Sequence, residues 1–242
     1  MATLYVIGIG PGGEDHFTRA MEKAIGASEV LVGYTPYMAY LGDRVQNKEI
    51  ISTGMKSEIE RCKAAIDQVK AGKTTSIIST GDAGLYGMAG PILELAPEDM
   101  DIQVLPGVSA NFASAARLGA PIMHDFVTIS LSDLLTPWEL ILKRVAMAVE
   151  GDFVITIYNP RSKGRPNHLR QVLDLMMDRG IEGSRPVGIV KNAGREGEVI
   201  YRTQLDQVDV EVVDMLSCVI IGNSKTYWKG DFMVTPRGYE NK

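Results

Sequence analysis

Short apolar runs rich in β-branched residues alternate along the chain with stretches in which apolar positions recur every three or four residues. The short runs read as buried strands, at residues 5–9, 30–32, 75–79, 102–105, 126–129, 153–158, 187–190 and 218–221. The longer stretches read as helices, at residues 18–27, 57–71, 89–95, 109–118, 138–149 and 167–179. Ser57-Glu58-Ile59-Glu60 has the spacing of a capping box, and Gly72 and Gly180 follow two helices as C-terminal stops. Alternation of this kind predicts α/β layers built mainly on parallel sheets. Leu118-Gly119-Ala120-Pro121 ends a helix near mid-chain, so two α/β domains are expected, residues 1–118 and 119–242. The second is the more mixed, with residues 198–202 and 232–234 as antiparallel edge or hairpin strands.

Composition narrows the classes. The chain has 242 residues, 45% of them hydrophobic and 23% charged, with a net charge of −5. A nucleic-acid partner is not expected, since phosphate binders carry a basic excess. The two cysteines, Cys62 and Cys218, are too far apart in sequence for a metal-ligand motif, and the reducing cytoplasm is the expected compartment. The N-terminal residues have no basic and long apolar signal pattern, and no apolar run has the length of a membrane span.

Three glycine-rich turns follow strands. Gly8-Ile9-Gly10-Pro11-Gly12-Gly13 formally fits the dinucleotide fingerprint, but Glu14, Asp15 and His16 separate it from the next helix. The next strand ends at Gly33-Tyr34, where the fingerprint needs a ribose-binding acid. The loop is therefore either a tight turn or a binding loop for something other than a dinucleotide. Ser79-Thr80-Gly81-Asp82-Ala83-Gly84-Leu85-Tyr86-Gly87 and Leu105-Pro106-Gly107-Val108-Ser109-Ala110 are the second and third turns. Open α/β sheets bind ligands at such strand ends, although each turn alone also reads as purely structural.

In this order the three turns resemble the tetrapyrrole methylases (class III methyltransferases), and the likeness covers essentially the whole chain. Ser130-Leu131-Ser132-Asp133-Leu134-Leu135-Thr136-Pro137-Trp138 and Tyr158-Asn159-Pro160-Arg161-Ser162 resemble more narrowly the C17-methylating corrin branch in its anaerobic, cobalt-substrate form. So do Thr53-Gly54-Met55, Glu58-Ile59-Glu60-Arg61-Cys62, His124-Asp125-Phe126 and Thr235-Pro236-Arg237-Gly238-Tyr239. The siroheme branch has Gly-Gly-Asp-Pro where this chain has Thr80-Gly81-Asp82-Ala83, which disfavours a uroporphyrinogen substrate.

The resemblance implies a homodimer of two α/β domains with a ligand cleft between them. It implies S-adenosylmethionine as donor, S-adenosylhomocysteine as product, and an anionic tetrapyrrole as acceptor, with cobalt present only as part of that substrate. Pro11, Thr80, Gly81, Asp82, Leu85, Ser109, Ala110, Tyr158, Asn159 and Ala193 are the implied donor contacts. The implied acceptor contacts include Gly10 and Gly12 of the first loop, together with Ser132.

Methyl transfer needs alignment and exclusion of water, and it requires neither a nucleophilic side chain nor a protein-bound metal. Ring contraction adds proton movement. Asp133, beside Ser130 and Ser132, is the first candidate for that duty, with a turn cap as the competing role. His124, with Asp125, is the second. His16, His124 and His168 are isolated in sequence and read as structural or surface residues. Arg161 and Arg165, in a short basic stretch with Lys163 and Arg170, suit the acceptor's carboxylates or form a solvated charged loop.

Overall fold

The computed structural model describes residues 2–239. The chain divides into two compact units, one ending at Ala110 and the other beginning at Asn111.

The first unit contains β1 (Leu4–Gly8), α1 (Arg19–Ala27), β2 (Val30–Tyr34), α2 (Thr35–Met38), β3 (Glu49–Thr53), α3 (Glu58–Lys70), β4 (Thr75–Ser79), α4 (Ala89–Leu95) and β5 (Ile102–Leu105). Its five strands form a wholly parallel sheet in the order β3-β2-β4-β1-β5. Side chains alternate across β1 as the strand period requires. Leu4 and Val6 join Val32 and Ile77 in a core completed by Cys62, Ile66 and Ile92. Ile7 and Ile9 join Leu31 and Ile78 in a core with Met21 and Ile25 of α1. Each such fully buried side chain contributes about 1.5–3 kcal/mol over an exposed one. Burial on both faces explains why these strands read as continuous apolar runs.

β3 escaped the pattern reading because its Glu49-Ile50-Ile51-Ser52-Thr53 lies at the sheet edge and is largely exposed. The capping box at Ser57 does not form, since its side chain makes no cap hydrogen bond. The buried Arg61 ties this corner instead. It donates to Thr53 Oγ1 (2.6 Å) and to the Gly54 carbonyl (2.9 Å), and pairs with Glu58 at 3.3 Å.

The second unit contains α5 (Ala110–Leu118, whose first residue closes the first unit), β6 (Gly119–Ala120), β7 (Phe126–Ser130), α6 (Trp138–Glu150), β8 (Val154–Tyr158), α7 (His168–Asp178), β9 (Pro186–Lys191), β10 (Val199–Gln204), β11 (Ser217–Ile221), β12 (Tyr227–Lys229) and β13 (Phe232–Val234). Its main sheet runs β10-β9-β11-β8-β7. Only β7 and β8 are parallel; the remaining pairs are antiparallel, so this sheet departs from the mainly parallel expectation. β6, β12 and β13 form a small separate sheet. α6 and α7 cover one face through Ile141, Val145, Leu169, Val172, Leu173 and Met176. The division after Ala110 lies eight residues before the expected boundary at 118, because Ala113, Ala115 and Leu118 of α5 pack with Val154, Val190, Cys218 and Ile220 of the second unit. Among the described residues no helix is long and apolar enough to cross a membrane.

Candidate active site

In the first unit the turns after β1, β4 and β5 lie together, because these three strands are neighbours in one parallel sheet. Backbone holds them. Gly10 N–H donates to the Gly81 carbonyl (3.1 Å), and Gly81 N–H donates back to the Gly10 carbonyl (2.7 Å). Asp82 ties two turns at once, Oδ1 accepting from Gly84 N–H (2.8 Å) and Oδ2 from Gly107 N–H (3.0 Å). Glycine is required for contact this close. A Cβ on Gly8 would lie 2.6 Å from the Gly81 carbonyl oxygen and 2.8 Å from the Gly107 nitrogen. Gly81 is different: it has φ +68, and the nearest atom to a Cβ there is 3.7 Å away. The result is a cradle lined by main chain.

Seven of the expected donor residues belong to this cradle or its rim: Pro11, Thr80, Gly81, Asp82, Leu85, Ser109 and Ala110. Both Asp82 oxygens already accept backbone N–H groups, so its first task is to join the turns. Gly12 accepts a 2.6 Å hydrogen bond from His16 on its carbonyl, and Gly10 packs against the same histidine. The turn Glu14–His16 and the N-cap Thr18 separate the loop from α1, and β2 ends at Tyr34, so both reasons for setting aside a dinucleotide hold in three dimensions.

In the second unit several of the candidate side chains gather where β7 and β8 end. Leu131 N–H donates to the Tyr158 carbonyl (2.9 Å), and Asn159 Nδ2 donates to Ser130 Oγ (2.8 Å). Tyr158 Oη accepts from Asn111 N–H (2.8 Å), while Asn159 has φ 50. Ser132 N–H donates to Ser130 Oγ (3.2 Å). Asp133, beyond this, lies 3.1 Å from His168 Nε2 and 3.9 Å from Arg165 Nε. The hydrogen bond to His168 holds the Asp133 carboxyl below the ordinary carboxylate range. The His168 ring packs on Trp138 with centroids 4.1 Å apart, and Trp138 Nε1 donates to Gln171 Oε1 (2.9 Å). His168 is therefore not isolated. Its pairing spans 35 positions, which no local pattern reveals.

His124 is not part of this cluster. It precedes β7 and Asp133 follows it, so five strand residues, about 17 Å of extended chain, separate the two candidates. His124 Nδ1 accepts from Asp125 N–H (2.9 Å) and the residue lines a cavity of about 410 Å³ with Asp152, Asn223, Lys225 and Arg237. The basic stretch is also less open than its sequence implies. Arg161 pairs with Glu211 (2.6 Å), Arg165 donates to the Leu131 carbonyl (3.0 Å), and Arg170 donates to the Val208 carbonyl (2.9 Å). Ala193 is buried just after β9. Burial pushes the thiol of Cys62 up to about 11 and that of Cys218 to about 12, so neither is a ready nucleophile.

Comparison with known proteins gives the arrangement its family context. The family model described as Tetrapyrrole (Corrin/Porphyrin) Methylases matches residues 3–209. A protein of Salmonella typhimurium named "Probable cobalt-factor III C(17)-methyltransferase" is 49% identical, over 98% of this chain and 99% of its own. The "Precorrin-3B C(17)-methyltransferase" of a Sinorhizobium species is 37% identical, over 98% and 97%. The crystal structure titled "Crystal structure of the methyltransferase CobJ" superposes with a TM-score of 0.93 at 34% identity, covering 98% of this chain and 100% of that one.

Proposed function

Because the chain belongs to the tetrapyrrole (corrin/porphyrin) methylases, we propose that it methylates C17 of a cobalt-containing tetrapyrrole, cobalt-factor III, from S-adenosylmethionine. The reading includes contraction of the ring to cobalt-precorrin-4, as a step of cobalamin biosynthesis. The observation that carries it is the end-to-end likeness to a relative named for that reaction, at 49% identity.

The first unit fits the donor. A main-chain cradle at strand ends admits a nucleoside close to the backbone. When bound, S-adenosylmethionine supplies an electrophilic methyl on a sulfonium. Pro11, Thr80, Gly81, Leu85, Ser109 and Ala110 would hold it, with Asp82 keeping the turns in register. Tyr158, Asn159 and Ala193 are proposed donor residues of the second unit. Gly10, Gly12, Ser132, Arg161 and Arg165 are proposed for the acceptor, the arginines meeting its carboxylates. Proton movement in the contraction is assigned to Asp133 together with His168, whose carboxylate and imidazole can share a proton across 3.1 Å. His124, the second candidate for that duty, lies apart from this pair and remains the next residue to test. A homodimer working in the cytoplasm completes the reading, and light scattering at twice the chain mass tests the assembly.

The decisive assay incubates the protein with S-adenosylmethionine, reductant and either cobalt-factor III or metal-free precorrin-3B, and reads product mass. A methylated product from the cobalt form is expected. A product from the metal-free form alone would move the assignment to the aerobic reaction, and no product from either would overturn it.

A further inference from the structure

His16 has the local geometry of a metal ligand although it stands alone. Its Nδ1 lies 2.6 Å from the Gly12 carbonyl oxygen. A carbonyl only accepts, so Nδ1 carries the hydrogen, and the lone pair of the neutral ring is on Nε2. Among the described residues no protein hydrogen bond is made to that nitrogen. Metal-bound histidines almost always donate their other N–H to a carbonyl or carboxylate, which fixes tautomer and ring orientation.

The turn that carries His16 is held from several sides. Arg44 bonds Glu14 (2.8 Å) and Glu22 (2.9 Å) and lies over the Phe17 ring at 4.8 Å. Phe17 N–H donates to the Glu14 carbonyl (2.9 Å). A Cβ on Gly10 would lie 2.8 Å from His16 Cβ, so the histidine is seated on the glycine that pairs with Gly81. An imidazole thus stands preset at the cradle that follows β1.

Among the described residues no group of three or more His, Cys, Asp or Glu side chains could hold a metal ion. A single preset imidazole can still complete a metal whose other ligands arrive with it. A cobalt tetrapyrrole brings four nitrogens in its plane and leaves axial positions open.

We infer that His16 Nε2 binds the cobalt of the tetrapyrrole substrate as an axial ligand, with the Gly12 carbonyl fixing the required tautomer. This rests on the cobalt-substrate reading above. The bond forms by donation of the Nε2 lone pair to cobalt; no proton is released and no oxidation state changes. It presents one face of the macrocycle to the first unit and gives the cobalt form an attachment that the metal-free form lacks.

The test is electron paramagnetic resonance of the cobalt(II) form of cobalt-factor III bound to the full chain. The wild-type complex should show cobalt hyperfine lines split into triplets by a single axial ¹⁴N, and labelling the histidines with ¹⁵N should turn the triplets into doublets. His16→Ala should still bind the macrocycle at high concentration but lose the splitting, and added imidazole should restore it. Its affinity for the cobalt form should fall at least about tenfold, the lower end of losses from disturbing a metal site's outer shell, with metal-free precorrin-3B unaffected. His16→Gln serves as a second variant, and thermal melting verifies that both fold. A wild-type complex without nitrogen splitting, or splitting that survives in His16→Ala, overturns the axial bond while leaving the tetrapyrrole reading intact. Failure of the wild-type chain to bind the macrocycle overturns both.

Discussion

The strand ends of the two sheets solve different problems with different materials. In the first unit the turns after β1, β4 and β5 meet through main chain, and glycine is the residue that fits at Gly8 and Gly107. In the second, the ends of β7 and β8 are tied by side chains: Asn159 donates to Ser130 Oγ, Tyr158 Oη accepts from Asn111 N–H, and Asp133 pairs with His168 and Arg165. Main chain offers shape and fixed amide dipoles but does not itself titrate, and both oxygens of Asp82, which ties the turns, are taken up by backbone N–H groups. A carboxylate–imidazole pair can exchange a proton. On the proposed reading the main-chain cradle holds the donor together with Tyr158, Asn159 and Ala193, while Asp133 and His168 move protons, so a mutation at the carboxylate should separate the two tasks.

The largest effect is expected from Gly107→Ala. The added methyl would overlap the Gly81 carbonyl and the Gly8 main chain, which cannot move aside as a flexible side chain would. We expect a loss of about 3 kcal/mol, the upper range for overpacking, seen in calorimetric melting, with S-adenosylhomocysteine binding abolished. Gly81→Ala is the contrast: there is room for its methyl, but φ +68 costs about 1–2 kcal/mol for a residue with a Cβ. That variant should fold and bind the donor more weakly. A Gly107→Ala protein that melts like wild type would break the backbone side of the comparison.

Asp133→Asn comes next. Titration calorimetry should find donor binding unchanged, while ring contraction slows by roughly 10²–10⁴, the usual contribution of a general acid or base. The variant also has a pH signature. The folded-state pKa of Asp133 is depressed, chiefly by the His168 hydrogen bond. Its stabilisation is therefore fully present above the unfolded value of about 3.9 and is lost as pH falls through the lower folded value. The stability gap between wild type and variant should be small, because the carboxylate is 40% exposed, and should close in that acid window. Full contraction activity in Asp133→Asn would reduce this pair to a structural contact.

The smallest effects are expected from the arginines. Arg161→Ala should weaken tetrapyrrole binding modestly, spare the donor, and matter less at high salt, since charges in water are screened over about 10 Å at 0.1 M. Arg165→Ala should do the same and also cost about 1 kcal/mol of stability, because its hydrogen bond to the Leu131 carbonyl is partly buried. Equal loss of donor and acceptor affinity in either variant would show that these arginines are not specific to the acceptor.

Much of this protein was legible without coordinates, because the signals are local. Strands buried on both faces are mostly apolar, so β1, β2, β4, β8 and β11 stand out in the chain. Gly72 and Gly180 end their helices with φ +86 and +84, conformations that side chains disfavour and that sequence therefore marks. The order of the glycine turns and the strings around Asp133 and Tyr158 carried the family resemblance.

Tertiary structure alone decided the rest, because those contacts join positions far apart in the chain. The antiparallel return of β11 between β8 and β9 depends on partners, not on its own apolar pattern. α5 packs with the unit that follows it because its buried face matches Val190 and Ile220, which no helix period discloses. The extended length of β7 drew His124 away from Asp133, and the fold brought His168 to Asp133 from 35 residues away. A sequence lists which groups are available, but a proton passes between groups only about 3 Å apart, and only folding sets which groups come that close.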